Sequence, residues 1–487
     1  VGKSILIIGA GLSGLASGCY GQMNGYKTTI LEMHDKAGGV CTAWKRKGYA
    51  IDGAMNWLVG TNTNSSFYKF WEELGAVEEW KIYNHDRYLI KEDQNGKTFT
   101  IFCDADRFEN YLLEMAPEDS DSIKEFIQAI RIASKFKSSF EQPNELCDEA
   151  DRVIVSHTNH LKKWEGLTGK SFAQRLKNPN LRSFFESIPY SISILIWVLG
   201  FQHSKSAGYV IGGALALVKP IEKCYYKLGG EIHFNSKVVK IVVENDRAVG
   251  VKLADGNEYR ADYVIAAGDG RTVIFDLLDG KYIDETIKKM YEHPVLFPPL
   301  VYVGLGIKRK FDDIPPSIAG YSFSLKKPII IAGKEEKSIN MLIYNFDPTL
   351  APADKTVVVV AYSTDYDYWK QLRQNIGHYN AEKERIADEV IAALEEKFSN
   401  ITSQVEMRDI ATPITWERYT GNWRGSYEGW LFGAFENISK TLPGLDNFYM
   451  AGQWVNAGGG MPTAVMSGRH TIQFICKKDG NKFITLD

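Results

Sequence analysis

Ser4-Ile5-Leu6-Ile7-Ile8-Gly9-Ala10-Gly11-Leu12-Ser13-Gly14 runs from a short apolar strand straight into three spaced glycines, and a helix-compatible stretch follows. In such a turn Gly11 lets the backbone approach a pyrophosphate, and Gly14 lets the helix pack closely on the strand. The first N–H groups of the helix are then free to meet phosphate oxygens. Alone, the spacing is common; its continuation makes it specific. Lys27 to Leu31 predicts a second strand that ends at Glu32, where a carboxylate accepts hydrogen bonds from a ribose 2′-hydroxyl and repels a 2′-phosphate. Gly38-Gly39 follows six residues later and extends the pattern beyond a plain NAD fold.

The 487 residues predict two or three domains. Lys and Arg number 57 against 60 Asp and Glu, a near balance that speaks against a nucleic-acid partner. The six cysteines (Cys19, Cys41, Cys103, Cys147, Cys224 and Cys476) form no CxxC pair, so neither a zinc site nor a disulfide scaffold is expected. His157 and His160 lack further ligands nearby and read as surface residues, so no metal is expected. No leader-like start and no run of 18 apolar residues occurs, which predicts a cytoplasmic chain. The segments Ile188 to Phe201 and Gly208 to Val218 read as buried helices of a large domain. The alternative for them is an apolar lip that admits a greasy substrate or touches a membrane.

Further along, apolar spacing at Ile123, Phe126, Ile127 and Ile130 predicts helices through about 105–228, the last ending at Gly229-Gly230. β-rich runs follow at Val238 to Val243, Ala248 to Leu253, Tyr263 to Ala266 and Val357 to Val360, with a long helix over Asn380 to Phe398. The last fifty residues return to strand, glycines and helix. The expected fold is therefore α/β, a domain split by an insertion whose first and last parts meet in space.

With Glu32 and Gly38-Gly39, the glycine turn resembles the FAD-binding start of the two-dinucleotide-fold flavoproteins. That group includes amine oxidases, carotenoid desaturases and GDP-dissociation inhibitors. Lys237-Val238-Val239-Lys240-Ile241, Val249-Gly250-Val251 and Asp255-Gly256 resemble the strand pair whose backbone holds the adenine, which implies a contact at Val238. Asp262-Tyr263-Val264-Ile265-Ala266-Ala267-Gly268 resembles the strand and turn that close over the cofactor. Phe448 to Thr463, containing Gly452-Gln453 and Gly458-Gly459-Gly460-Met461-Pro462-Thr463, resembles the closing FAD motif of the phytoene desaturase, carotenoid isomerase and retinol saturase family. Ile51-Asp52-Gly53-Ala54-Met55-Asn56-Trp57 resembles the segment passing close to the isoalloxazine. Three positions depart from the pattern: Gln453 replaces a frequent acid, Ala54 replaces a glycine, and Asn56 stands where the saturase branch often has His.

The resemblance implies FAD contacts at Gly9, Gly11, Leu12, Ser13, Gly14, Glu32, Met33, Gly38, Gly39 and Val40. It further implies them at Met55, Asn56, Val238, Ala267, Gly268, Gly452, Gln453, Gly460, Met461, Pro462 and Thr463. It also implies a discontinuous Rossmann-like FAD-binding domain (1–75, 212–290, 441–487), an inserted mixed-sheet substrate domain (76–104, 291–440) and a helical cap (105–211). The implied activity is desaturation, saturation or isomerisation of carbon–carbon bonds in a hydrophobic polyene or terpenoid. NAD(P)H, quinone or oxygen is the transient electron partner. A flavin amine or amino-acid oxidase, and a prenyl-lipid carrier without enzymatic activity, are the alternatives.

No nucleophile–base pair is legible, and Tyr190, His203, Tyr344 and Tyr419 are the guesses for an acid or base. The aromatic run Trp416, Tyr419, Trp423, Tyr427 and Trp430 reads equally as core and as the lining of a cleft.

Overall fold

The computed structural model describes residues 2–136, 141–146, 161–188, 190–315, 317–431, 435 and 438–485. Cys147, His157 and His160 lie outside them. The opening strand, β1 (Ser4–Ile8), is buried through Ile5, Leu6 and Ile7. It turns through Gly9 into α1 (Leu12–Met23) and then into β2 (Lys27–Leu31). Much later the chain adds α2 (Gly213–Lys227), β3 (Glu231–His233) and β4 (Tyr263–Ala266), and finally β5 (Phe448–Met450) and α3 (Met461–Lys478). The strands form one sheet in the order β3-β2-β1-β4-β5, with every pairing parallel. Such a sheet is covered on both faces by helices, which accounts for the unbroken apolar runs in β1 and β4. α3 lies so close on α1 that a side chain at Gly468 would stand 2.5 Å from the Ser13 carbonyl oxygen. Lys3 and Asp479 form an ion pair that ties the two ends of this unit.

A second, seven-stranded sheet runs Val405–Ala411, Leu300–Ile307, Thr356–Ser363, Lys334–Ile343, Ile318–Ile331, Arg87–Glu92 and Thr98–Phe102. Its pairings are antiparallel except that of Ile318–Ile331 with Arg87–Glu92. The two-residue alternation of Leu300–Ile307 decides how it packs. Val303, Leu305 and Ile307 share a core with Ile386, Val390 and Leu394 of the helix Ile376–Lys397. Gly304 and Gly306 face the other way, where added Cβ atoms would stand 2.7 Å from Ile51 and 2.6 Å from the Tyr49 ring. Two absent side chains thus let the sheet press on the strand Tyr49–Asp52. Tyr49 and Ile51 of that strand share a core with Ile5 and Ile7 of the parallel-sheet unit, the nucleotide unit of the expected fold.

A helical layer has its own core, including Ile123, Phe126, Trp164, Phe185 and Leu195. The segment expected to be helical at 208–218 divides. Ala207–Val210 is a strand bridging Leu58–Val59 and Ile82–Tyr83, and α2 begins only at Gly213. Gly212 and Gly213, at φ 95° and 69°, turn the chain between the two. The five described cysteines are free thiols, and no metal-binding cluster occurs among the described residues. Among the described residues no helix is long and apolar enough to cross a membrane.

Candidate functional site

The carboxyl ends of β1, β2 and β4 open into a cavity of about 1490 Å³. This is where open α/β sheets take ligands. Gly9, Gly11, Leu12 and Ser13 line it from the first turn, and Glu32 and Met33 from the end of β2. Gly38 bridges to Gly11, and its N–H donates to the Ala10 carbonyl at 2.9 Å, which lays Gly38, Gly39 and Val40 along the same wall. Val238, Ala267 and Gly268 line the cavity from the strands behind. Gly452, Gln453, Gly460, Met461, Pro462 and Thr463 line it from the last motif, and Asn56 joins them.

Two of the expected contacts stand back from this wall. Gly14 is a packing position, since a Cβ there would meet the Gly9 carbonyl oxygen at 1.9 Å. Met55 is buried behind the wall. Asp52 accepts hydrogen bonds from the N–H groups of Ala54 and Met55 at 2.8 and 2.7 Å, and from Ala214 at the start of α2 at 2.6 Å. That turn draws Met55 inward. Burial pushes the Asp52 carboxyl up to about 6 against these three N–H donors.

The cavity suits a dinucleotide with anionic centres. A side chain at Gly11 would meet nothing within 4 Å, and α1 starts there without a side-chain cap or an acidic first turn. Its free N–H groups therefore face open space, the arrangement that binds pyrophosphate. α3 starts at Gly460 in the same uncapped way, giving the cavity a second positive helix end. Glu32 accepts from the N–H of Ala10 at 2.7 Å and of His34 at 2.9 Å. A carboxylate has about four acceptor positions, so two remain for ribose hydroxyls. His34 Nε2 and Asn422 Nδ2 are buried without a protein partner at residues that line the cavity. Polar atoms left so await a ligand's complementary groups.

Several residues here were not singled out from the sequence. Asp269 accepts from Thr272 N–H at 2.7 Å and Trp423 N–H at 2.8 Å, fastening the loop 421–425 to the nucleotide unit. Burial pushes its carboxyl up to about 6. Lys440 donates to Asn456 Oδ1 at 2.6 Å and Ser467 Oγ at 3.2 Å, and the same hydroxyl oxygen accepts the Gly452 N–H. Burial pushes this ammonium down to about 8. Glu428 lines the cavity, and burial pushes its carboxyl up to about 7. Asn422, Glu428 and their neighbours lie between aromatics that were read only for their rings; the polar residues among them were the missed signal.

The aromatic run divides. Tyr419 and Tyr427 line the cavity. Trp416 packs with Trp44 and Tyr302, Trp430 with Trp454, and Trp423 with Tyr291. Of the four guessed acids or bases only Tyr419 reaches the cavity wall. The helix Ile192–His203 divides between core and cavity. Ile192, Leu195, Ile196 and Leu199 are core, whereas Ile194, Trp197, Val198 and Phe201 line the cavity with Phe67 and Phe136. One cavity thus has a polar, glycine-walled end and an apolar end.

Residues 12–473 match the family model described as flavin containing amine oxidoreductase. Prolycopene isomerase from the chloroplast of Daucus carota is 23% identical, over 95% of this chain and 78% of its own length. The 4,4′-diapophytoene desaturase (4,4′-diapolycopene-forming) of a Methylomonas species is 24% identical, over 99% of this chain and 96% of its own. An oxidoreductase from Methanosarcina mazei shares the fold with a TM-score of 0.63 and 17% identity, covering 97% of this chain and 100% of its own. The chain belongs to the family of flavin-containing amine oxidoreductases, as an FAD-dependent enzyme.

Proposed function

We propose that this enzyme desaturates, saturates or isomerises carbon–carbon bonds of a hydrophobic polyene or terpenoid. The observation that carries this reading is the single cavity whose polar end continues into a wall of Phe67, Phe136, Ile194, Trp197, Val198 and Phe201. The names of the prolycopene isomerase and 4,4′-diapophytoene desaturase relatives point the same way. FAD, when bound, supplies the hydride acceptor or donor.

The chain's own residues do the rest. Glu32 takes the ribose hydroxyls, and the N-terminus of α1 takes the pyrophosphate. The uncapped start of α3 favours negative charge beside it, which would stabilise the electron-rich form of the ring system. Apolar side chains hold an extended substrate and exclude water from it. NAD(P)H, quinone or oxygen would reach the flavin transiently as electron partner, and the cap end would meet a membrane surface when the substrate is lipid-borne.

The test is anaerobic incubation of the FAD-loaded protein with cis and trans polyenes, with products separated by chromatography. Altered double-bond number or geometry is the expected result. Turnover of amines with release of peroxide, and none of polyenes, would replace this reading by the oxidase one.

A further inference from the structure

Hydride exchange leaves one task to the protein, the movement of a proton. Four carboxyl groups line the cavity among the described residues: Glu32, Glu165, Asp269 and Glu428. Glu32 and Asp269 each give both oxygens to backbone N–H groups, and Glu165 is exposed to solvent. Glu428 differs from all three. It is half-buried on the cavity wall and pressed on the closing glycines, where a Cβ at Gly459 would stand 2.6 Å from the Glu428 Cβ and 2.8 Å from its carbonyl oxygen. The next residue, Gly429, lies against Gln453, where an added Cβ would meet Cγ at 3.1 Å. Contacts on both sides thus hold Glu428 beside the motif that ends the polar half of the cavity.

The other proton-exchanging groups on the wall are less suited. Burial pushes the Cys41 thiol up to about 12 and raises the Tyr427 phenol well above its ordinary value. His34 follows Glu32 by two residues and contacts the Tyr419 ring at 6.2 Å, and Lys237 precedes Val238, so all three stand at the nucleotide end.

We propose that Glu428 is the catalytic acid–base residue of this enzyme, exchanging a proton with the carbon next to the one that loses or gains hydride. The proposal rests on the polyene reading above. In desaturation two C–H bonds break. One hydrogen leaves with both electrons to the family's flavin, which is reduced. The other leaves as a proton to a Glu428 carboxylate oxygen, and its bonding pair becomes the new C=C bond. Saturation reverses both transfers; in isomerisation Glu428 lends a proton to the polyene and recovers it, with no net change in electrons. Desolvation supports the role, because a carboxyl pushed up to about 7 populates both forms near neutrality, where acid–base catalysis works best. The titratable neighbour is Tyr427, whose hydrogen bond favours the charged form, while the packed loop Gly458 to Gly460 carries no ionisable side chain.

Glu428→Gln preserves size and removes the exchangeable proton; Glu428→Asp keeps the acid. Glu428→Gln is expected to retain stoichiometric FAD and its visible spectrum, and to lose polyene turnover by about 10²–10⁴-fold. Glu428→Asp should recover part of the loss. Infrared difference spectra of the FAD-loaded proteins should show a protonated-carboxyl band that titrates near neutrality in the wild type and is missing from Glu428→Gln. Wild-type turnover in Glu428→Gln, an identical band in that variant, or loss of FAD from it would each overturn the proposal, the last by making Glu428 a cofactor anchor. If the FAD-loaded wild type turns over no polyene, the substrate reading fails by itself. The infrared titration then decides for or against Glu428 as the cavity's acid.

Discussion

At Gly11 and Gly14 the same residue type does two different jobs. Gly11 has φ −68°, open to any residue, and an added Cβ would meet only the cavity. Gly11→Ala should therefore fold as well as the wild type in urea titrations, yet bind FAD about tenfold or more weakly by calorimetry. Gly14→Ala should do the opposite first, losing about 1–3 kcal/mol of unfolding free energy, because its Cβ would meet the Gly9 carbonyl oxygen at 1.9 Å. Equal effects of the two changes would contradict the assignment.

Asp52 and Asp269 give a pH dependence whose sign is fixed by burial. Their carboxyls ionise at about 6 in the native chain and near 3.9 in the unfolded one. Between these values the native chain holds protons that the unfolded chain has released, so stability falls as pH rises through that window. Each penalty, about 2–3 kcal/mol, is complete above the native value. The urea midpoint of Asp269→Asn, whose side chain cannot ionise, should vary less from pH 4 to 6 than that of the wild type. An unchanged slope would place the protonation elsewhere.

Among the elements, legibility followed the strength of the local pattern. β1, α1 and β2 were readable because an apolar run, a glycine turn and a terminal carboxylate coincide, and the long helix because Ile386, Val390 and Leu394 recur at four-residue spacing. The helix Ile192–His203 is apolar on all sides, so its period could not tell which face is core and which lines the cavity. The neighbouring strand Ala207–Val210 was lost in the same way, its pairing partners being two-residue strands far off in the chain. Glu428 was illegible because its role depends on Gly459 approaching it, a contact that spacing does not encode. The helix face makes its own prediction. Trp197→Ala should leave FAD content unchanged and raise KM for a polyene about tenfold or more, because the apolar contact it offers the substrate is lost. A fall in FAD content instead would move Trp197 to the cofactor end.

For the whole molecule, one core contains Ile5 and Leu15 from the nucleotide unit together with Tyr302 and Val357 from the seven-stranded sheet. The two sheets should therefore unfold together, in one transition seen alike by tryptophan fluorescence and far-ultraviolet dichroism. FAD at a hundredfold its Kd should raise the unfolding free energy by about 2.7 kcal/mol. Two separated transitions, with FAD moving only one, would show that Gly304 and Gly306 do not couple the sheets.

The close seat of α3 on α1 also has a meaning for synthesis on the ribosome. The helix that emerges first must wait for a partner beginning only at Met461. At about 5–20 residues per second that interval is roughly 20–90 s. Through all of it the face of α1 at Ser13, Ala16 and Ser17, on which Gly468 comes to rest, lacks its lasting cover, so the nascent chain is a natural client for a holding chaperone. The cavity that takes FAD is complete only after Met461 to Lys478 have emerged.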